Sequence, residues 1–541
     1  MNLNKKILST LVVSAMLSAS TVYAADVPAG TQLAKKQDIV INNGSEPGSL
    51  DPQLIQGVPG SHIAMQQFEG LINQDANGAT VPGVAKSWDN KDNKVFTFHL
   101  RDNAKWSNGK PVTAQDFVFA WRRLVDPKTA SPYSYYLQLT GMENVDAIID
   151  GKMDPSKLGV KALDDHTLQV TLSHSVPYFV KMMANSSVFP VYPPVVEKWG
   201  DKWTQPQHIV SNGAYKLSKW VVNSRIVLVR NPDYWNNKKT VINKVTFLPV
   251  SDQVAAMNRF MAGEIDMTYE VPNEQFKHLQ KDYPNDLKVT GYLCNYYYDF
   301  NNKKPPFNDV RLRKALSYAI NRDVITKYVT GKGEQPLYGF TPAATDGFTP
   351  PNLAYAHMTQ AQRMAKAREW MKEAGYGKGG KQLDISILYN TSGNHKKIAL
   401  AVAQMWKSLG VKVTLENQEW KTFLQTRQNH QFTVARDAWC GDYNEASTFM
   451  TLMMTGNTQN NADYSDKAYD ALMNKALNTA DDKARNALYT KAEDILVNDA
   501  PIAPIYSYVN ARLVKPTVGG YPMHNALDYY YVKNFYMKAK K

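Results

Sequence analysis

Apolar and polar positions alternate with period two over Lys94–Arg101 (KVFTFHLR) and Thr167–Ser173 (TLQVTLS), the pattern of half-buried β-strands. Arg225–Arg230 (RIVLVR) reads as a strand closed by the turn Asn231-Pro232. Over Asp309–Arg322 the period changes: Leu312, Leu316, Ala319 and Ile320 recur at helical spacing, with Asn308 available as the cap. Leu383–Tyr389 is a predicted strand and Asn390–Asn394 a turn. Ile398, Val402, Met405 and Leu409 then mark one face of a helix stopped by Gly410, and Val411–Leu415 is a second strand. Strand, helix and strand in that order make a βαβ crossover, normally parallel and right-handed. The expected fold is therefore mixed α/β. Sheets of this kind bind ligands beyond the carboxyl ends of their strands, often in a crevice between domains.

The chain has 541 residues, too many for one compact core, so two or three lobes are expected. Its start is an export signal: Lys5 and Lys6 precede the short apolar run Ile7–Ser20, and Val22-Tyr23-Ala24 places small residues before a cut ahead of Ala25. No cysteine lies near that cut to carry a lipid anchor, so a free periplasmic protein of a Gram-negative bacterium is expected. The formal charge is +13, or +11 once Lys5 and Lys6 are removed, and the basic residues are scattered rather than gathered, which argues against a nucleic-acid partner. Cys294 and Cys440 are the only two cysteines. In an oxidising compartment they either bridge or remain as two buried thiols, and they lack the close spacing of a redox or zinc motif.

No catalytic constellation emerges. HExxH, GxSxG and dense His/Cys/Asp clusters are absent from the sequence, so neither enzymatic activity nor a metal or other cofactor is expected. Gly375–Lys381 (GYGKGGK) fits GxxxxGK, but Gln382 stands where a magnesium-binding hydroxyl belongs. A helical stretch precedes it and a strand follows, the reverse of a phosphate-cradling loop, so a helix-ending turn is the better reading.

Four passages stand out: Trp106–Trp121 (WSNGKPVTAQDFVFAW), which joins a turn to a Thr-capped helix; Gly263–Met267 (GEIDM), which ends a helix and begins a strand; Lys303–Arg322 (KKPPFNDVRLRKALSYAINR); and Phe432–Phe449 (FTVARDAWCGDYNEASTF). With Gln418–Arg427 (QEWKTFLQTR) and Leu388–Lys397 (LYNTSGNHKK), they resemble the large extracellular solute-binding proteins of peptide ABC transporters, family 5. The resemblance runs from about Ala25 through Arg512–Lys515 nearly to the end of the chain.

That resemblance implies a three-lobe periplasmic binding protein, a hinged trap of type II kind with an extra inserted domain. Lobe I would comprise 25–68, 193–293 and 510–541, lobe II the insertion 69–192, and lobe III 294–509, following the signal at 1–24. It implies a disulfide between Cys294 and Cys440, which match bridged positions in relatives. The ligand would be a short peptide lying extended between the lobes, its backbone paired as an added strand. Asp442 in WCGDYNE matches the receptor for the ligand's α-amino group, and Arg436, Arg427 and His395 match positions near its carboxylate, His395 acting when protonated. Trp420, Trp439, Tyr133, Tyr297 and Tyr508 match pocket walls, and Val58 is placed in the same ligand-binding set.

Two departures bear on specificity. Gln56 stands where relatives have an acidic residue, which should weaken a preference for basic side chains, and Thr330 replaces a lysine near the tail of shorter ligands. A monomer is expected, handing its cargo to an inner-membrane ABC permease with separate ATPase subunits. The alternatives are the same fold carrying the cell-wall (murein) tripeptide or another small solute, an envelope chaperone, or an exported peptidase.

Overall fold

A computed structural model describes residues 27–377 and 379–540; the export signal at 1–24 lies outside the described residues. Three larger sheets organise the chain. Asp38–Asn42, Lys244–Leu248, Arg225–Arg230 and Tyr215–Val221 form one, in that spatial order, with Asp38–Asn42 parallel to Lys244–Leu248. The predicted strands near 94–101 and 167–173 pair directly in a second, as Val95–Leu100 and Thr167–Thr171, flanked by Ala85–Lys91 and Val160–Asp164. Their apolar residues face inward: Phe96, Phe98, Leu168 and Val170 are buried. The third sheet has six strands, ordered Gln335–Pro336, Ile502–Leu513, Leu287–Phe300, Val434–Cys440, Leu383–Asn390 and Val411–Gln418.

The βαβ unit is present. Leu383–Asn390 runs parallel to Val411–Gln418, Leu383 opposite Val411, and helix Gly393–Lys407 crosses between them. Ile398 and Val402 on that helix are buried, and the chain leaves it through Gly410 at φ 83°, where a Cβ would be disfavoured. The GYGKGGK stretch follows helix Gln360–Glu373 and precedes Leu383–Asn390, with Gly375 at φ 82°, as a helix-ending turn requires. Thr113 caps helix Ala114–Val125, and the Asp116 carboxylate returns to accept from the Thr113 N–H at 2.8 Å.

Two expectations need correcting. Helix Val310–Ala319 is capped by Asp309, whose carboxylate accepts from the Arg311 N–H at 2.9 Å, so the cap falls one residue after Asn308. The GEIDM segment does follow a helix, Gln253–Met261, but contributes only isolated bridges from Met267 to Ile41 and Val514. The rest of the Lys303–Arg322 passage is tied down by buried guanidinium groups. Arg313 donates to the carbonyls of Asp499 and Ala500, and Arg322 to those of Leu337 and Pro504.

The strands Leu287–Phe300 and Ile502–Leu513 matter most for the site. They pair antiparallel from Leu287 opposite Leu513 to Asp299 opposite Ile502, with a break in register between Gly291 and Asn295. On one side of that break, Leu287, Ala511 and Leu513 pack with Leu248, Phe260 and Ile265. On the other, Tyr296, Tyr298, Ala503 and Ile505 pack with Ile387, Ile398 and Val402. The two strands thus connect separate apolar clusters, and the pairing between them is interrupted where one cluster gives way to the other. Cys294 and Cys440, directly opposite each other on adjacent strands, form a disulfide.

Candidate functional site

A large cavity with about 1490 Å³ of empty space, partly open to solvent, lies against the middle of the six-stranded sheet. Strand Val434–Cys440 supplies much of its wall. One edge of that strand pairs with Leu287–Phe300 over its whole length, whereas the other pairs with Leu383–Asn390 only at Val434 and Ala435. Ala438, Trp439 and Cys440 therefore face the cavity on an edge without a strand partner, and Val509–Ala511 line it from the neighbouring long strand. Backbone donors and acceptors beside a cavity this size are ready to pair with an extended chain.

Asp442 stands just beyond the strand's end and is buried. The Asn185 side chain donates to its Oδ1 at 2.7 Å, and the Tyr133 and Tyr135 hydroxyls reach it at 3.4 and 3.5 Å. The Asn185 amide is held in orientation, because its Oδ1 accepts from the Ser187 N–H and hydroxyl, leaving Nδ2 for Asp442. Among the described residues no cation forms an ion pair with Asp442. Burial pushes its carboxyl up to about 7, against the lowering effect of the Asn185, Tyr133 and Tyr135 hydrogen bonds. Asp442 is a desolvated carboxylate lacking a counter-charge.

The cavity's cations lie elsewhere along the same wall. Arg436, four residues before the strand's end, donates to the Tyr508 hydroxyl at 2.7 Å and to Asn390 Oδ1 at 3.3 Å, while its Nε has no partner. His395, in the first turn of Gly393–Lys407, is buried, and its Nδ1 is unpartnered. Burial first, then the charges of Arg436 and Lys332, hold it well below the usual histidine range, so the imidazole is neutral here. The expectation was that His395 acts when protonated; with two cations already facing it, it offers a neutral N–H here. Arg427 lines the cavity but is engaged with buried Asp437. Both arginines keep an Nε without a partner, but Arg427's charge is met by Asp437, whereas Arg436 forms no ion pair among the described residues.

Of the aromatic residues expected in the pocket walls, Trp420, Trp439, Tyr133 and Tyr508 line the cavity and Tyr297 does not. Trp439 stacks on Tyr133 at 6.3 Å between ring centroids, and Trp420 packs along Phe423. Both indole N–H groups are buried without partners. Tyr508 and Val58 also line the cavity. Tyr297 does not: it sits opposite Asp437 one strand further in, edge-on to Phe340 at 5.2 Å, in the core. Thr330 is likewise away from the cavity, buried and bonded to the carbonyls of its own helical turn. Gln56 does line it, but its amide donates to Gln459 Oε1 at 3.0 Å, and Gln459 in turn donates to the Pro132 carbonyl at 2.8 Å. Sequence patterns did not single out Asn185, Tyr135, Tyr269, Glu270 or Lys332; no periodicity marks loop residues that meet only in three dimensions.

The model of bacterial extracellular solute-binding proteins, family 5, matches residues 79–461. The chain belongs to that family. The periplasmic oligopeptide-binding protein OppA of Salmonella typhimurium is 54% identical over 539 residues, 99% of each chain. The structure also superposes on Haemophilus influenzae OppA in complex with RPPGFSPFR, with TM-score 0.91 and 47% identity over 94% of this chain and all of that one. The unliganded open form of the periplasmic murein tripeptide-binding protein MppA is as similar in sequence, 48% identical over 95% of this chain and 99% of that one, but its TM-score is only 0.66. Sequence similarity being equal, the difference lies in how the parts are arranged: this family 5 chain has the arrangement of the peptide complex.

Contacts across the cavity fit a closed state. Gly57, at φ 87°, sits beneath the edge of Trp420, and a Cβ there would come within 2.6 Å of Trp420 Cζ2. Gly57→Ala is expected to weaken ligand binding at least tenfold. With ψ at 158° as well, the positive φ lies in a region nearly reserved for glycine and penalises every conformation by ~1–3 kcal/mol, whereas the clash with Trp420 exists only when the two segments meet. Small-angle scattering should then show the variant staying extended when ligand is added; compaction like the wild type's would overturn the prediction.

Proposed function

We propose that this protein captures short peptides in the cavity, amino end at Asp442 and carboxylate toward Arg436 and His395, and releases them to an inner-membrane ABC permease with separate ATPase subunits. The observation that carries this reading is the buried Asp442 carboxylate, lacking a counter-charge, on the same wall as Arg436 with its unused donor, an unpartnered strand edge running between them. From Arg436 to Cys440 the strand advances about 13 Å at ~3.3 Å per residue. An extended peptide of three to five residues covers that span and the reach of the end groups. Backbone pairing disregards side-chain identity, and the unpartnered indoles of Trp420 and Trp439 supply hydrogen bonds that ordered water can extend to varied side chains. The names of the relatives, oligopeptide-binding proteins bound to or called after peptides, point the same way.

The reading includes a periplasmic, monomeric protein cut after Ala24, with no cofactor and no chemical conversion of the ligand. It divides the chain into lobe I (25–68, 193–293, 510–541), the inserted lobe II (69–192) and lobe III (294–509). The register break between Gly291 and Asn295 falls at the proposed boundary between lobes I and III, where a hinge would bend.

The test is calorimetric titration of protein refolded from denaturant, free of co-purified ligand, with trialanine, N-acetyl-trialanine and trialanine amide. One-to-one binding of trialanine is expected, weakened at least tenfold by acetylation. Mass spectrometry should return the peptide intact after incubation, which a peptidase would not. Binding of the murein tripeptide but not trialanine would move the cargo to that solute; binding of neither would overturn the peptide reading.

A further inference from the structure

A cluster of buried amides joins two parts of the molecule that share no apolar core. Gln253 opens helix Gln253–Met261, and its side chain bonds in three directions. Its Nε2 donates to Glu270 Oε1 at 2.6 Å and to Ser392 Oγ at 2.8 Å, and its Oε1 accepts from the Gly393 N–H at 3.2 Å. Gly393 is the first residue of helix Gly393–Lys407, and the leading N–H groups of a helix find no partner within it. Ser392 takes one of them, the His395 N–H, at 3.4 Å; Gln253, 140 residues away along the chain, takes that of Gly393. A Cβ on Gly393 would come within 3.1 Å of Gln253 Oε1, so the approach is close.

The neighbouring residues repeat the arrangement. Asn394 Nδ2 donates to Glu270 Oε2 and to the Val271 carbonyl, both at 3.4 Å, and its Oδ1 accepts from the Asn273 N–H at 3.4 Å. Asn273 Nδ2 donates to the Val329 carbonyl at 3.1 Å. Lys397, on the same helix, pairs with Glu274 at the half-exposed margin. Gln253, Asn273 and Asn394 are all buried. On one side of the cluster, Phe260, Val271 and Phe276 pack with Leu248 and Leu279; on the other, Ile398 and Val402 pack with Tyr296 and Ile387. The two sides therefore meet through polar bonds, each modest in net worth because water replaces it when the sides part. Asp442 and Arg436 take no part in these bonds.

We propose that this cluster is a latch, which holds the two sides together in the closed state whatever the ligand and so sets affinity without taking part in recognition. The proposal rests on the peptide reading and on the division into lobes I and III given above. A closed state that makes up only a fraction of the ligand-free molecules raises every dissociation constant by the inverse of that fraction. Loss of latch bonds lowers the fraction by one factor common to all ligands. Loss of a group that touches the ligand acts unequally on ligands that differ at that point.

Tri-, tetra- and pentaalanine and trialanine amide would be titrated into wild type, Gln253→Ala/Asn273→Ala and, from the helix side, Asn394→Ala. The double variant removes the bonds of Gln253 to Ser392 and Gly393 and that of Asn273 to Val329, each contributing about two- to tenfold to closure. It should bind all four peptides at least tenfold more weakly than wild type, by factors agreeing within threefold. Asn394→Ala should lose at least threefold, again uniformly. Each loss is read at one-to-one stoichiometry, and agreement in kind between variants acting from opposite sides excludes a local folding defect. Losses that depend on peptide length or on the terminal carboxylate would make these residues part of the recognition surface and overturn the latch. If wild type binds none of the four peptides, the peptide reading itself fails. If wild type binds and both variants equal it, only the latch fails.

Discussion

Asp442→Asn is expected to weaken binding of a free-amine tripeptide at least a hundredfold and to leave the weak binding of its N-acetylated form nearly unchanged. Asparagine keeps the shape and can still contact Asn185, Tyr133 and Tyr135, so what is lost is the charge. An ammonium 4 Å from a carboxylate at an effective dielectric near 20 gains about 4 kcal/mol, and each ~1.4 kcal/mol is tenfold in affinity. A hundredfold leaves room for the desolvation of the amine. The same pair sets a pH dependence. Without a ligand, burial holds the Asp442 carboxyl at about 7, and the groups facing it (Tyr133, Tyr135, Tyr136 and Tyr529, with Asn185) add no positive charge. The bound state needs the carboxylate ionised, so binding below about pH 7 must release a proton, and affinity falls as pH falls. Above about 8 the peptide's own α-amine loses its proton, and affinity falls again. The acidic limb belongs to Asp442 and should vanish in Asp442→Asn. Calorimetry at pH 5.5, 7.5 and 9 in buffers of different ionisation enthalpy measures both the affinity and the proton released. A flat profile in wild type would place the amine elsewhere.

The second large effect concerns stability. Cys294–Cys440 closes a loop spanning 146 residues. The chain-entropy account gives roughly 5 kcal/mol for a loop of that size. Unfolding entropy of about 2 cal/mol/K per residue makes one degree worth on the order of 1 kcal/mol for a chain this long. Cys294→Ala/Cys440→Ala is therefore expected to lower the unfolding temperature by about 5 °C. Function should suffer as well, because Cys440 lies between Trp439 and the Gly441-Asp442 turn; only hydrogen bonds, from the Gly441 N–H to Leu293 O at 2.8 Å, from the Asp442 N–H to Thr448 Oγ1 at 2.9 Å and from the Tyr529 hydroxyl to Asp442 O at 3.2 Å, would be left to hold that turn. Differential scanning calorimetry of ligand-free protein reads the first effect and trialanine titration the second. An unchanged unfolding temperature would mean that the unfolded chain already keeps these strands near each other.

Much of this was legible in one dimension. Period-two alternation found the paired strands Val95–Leu100 and Thr167–Thr171, because a sheet with one buried face imposes that period on any sequence that forms it. The switch to helical spacing after Leu383–Asn390 found the crossover for the same reason. The Asp309 cap was missed by one residue because Asn and Asp both cap well and stand side by side. Tyr297 was placed in the wall by its resemblance to pocket residues; only the packing of its ring edge-on against Phe340, a residue far along the chain, shows that it is buried in the core instead. His395 was read as acting when protonated; the crowding of Arg436 and Lys332 around it, invisible in the sequence, opposes its charging.

The sequence by itself determined what is periodic or local: the α/β class, the crossover, the caps and turns, and the WCGDYNE loop as the place to look. Tertiary structure decided what depends on residues far apart in the chain. Asn185 orients on Asp442, Trp420 closes over Gly57, and Lys332 is presented beside His395. The physical reason is range. Backbone conformation and amphipathic patterning act over a few residues and leave their mark in the order of side chains. Desolvation and charge, which give these groups their chemistry, act through space, and no spacing along the chain records them.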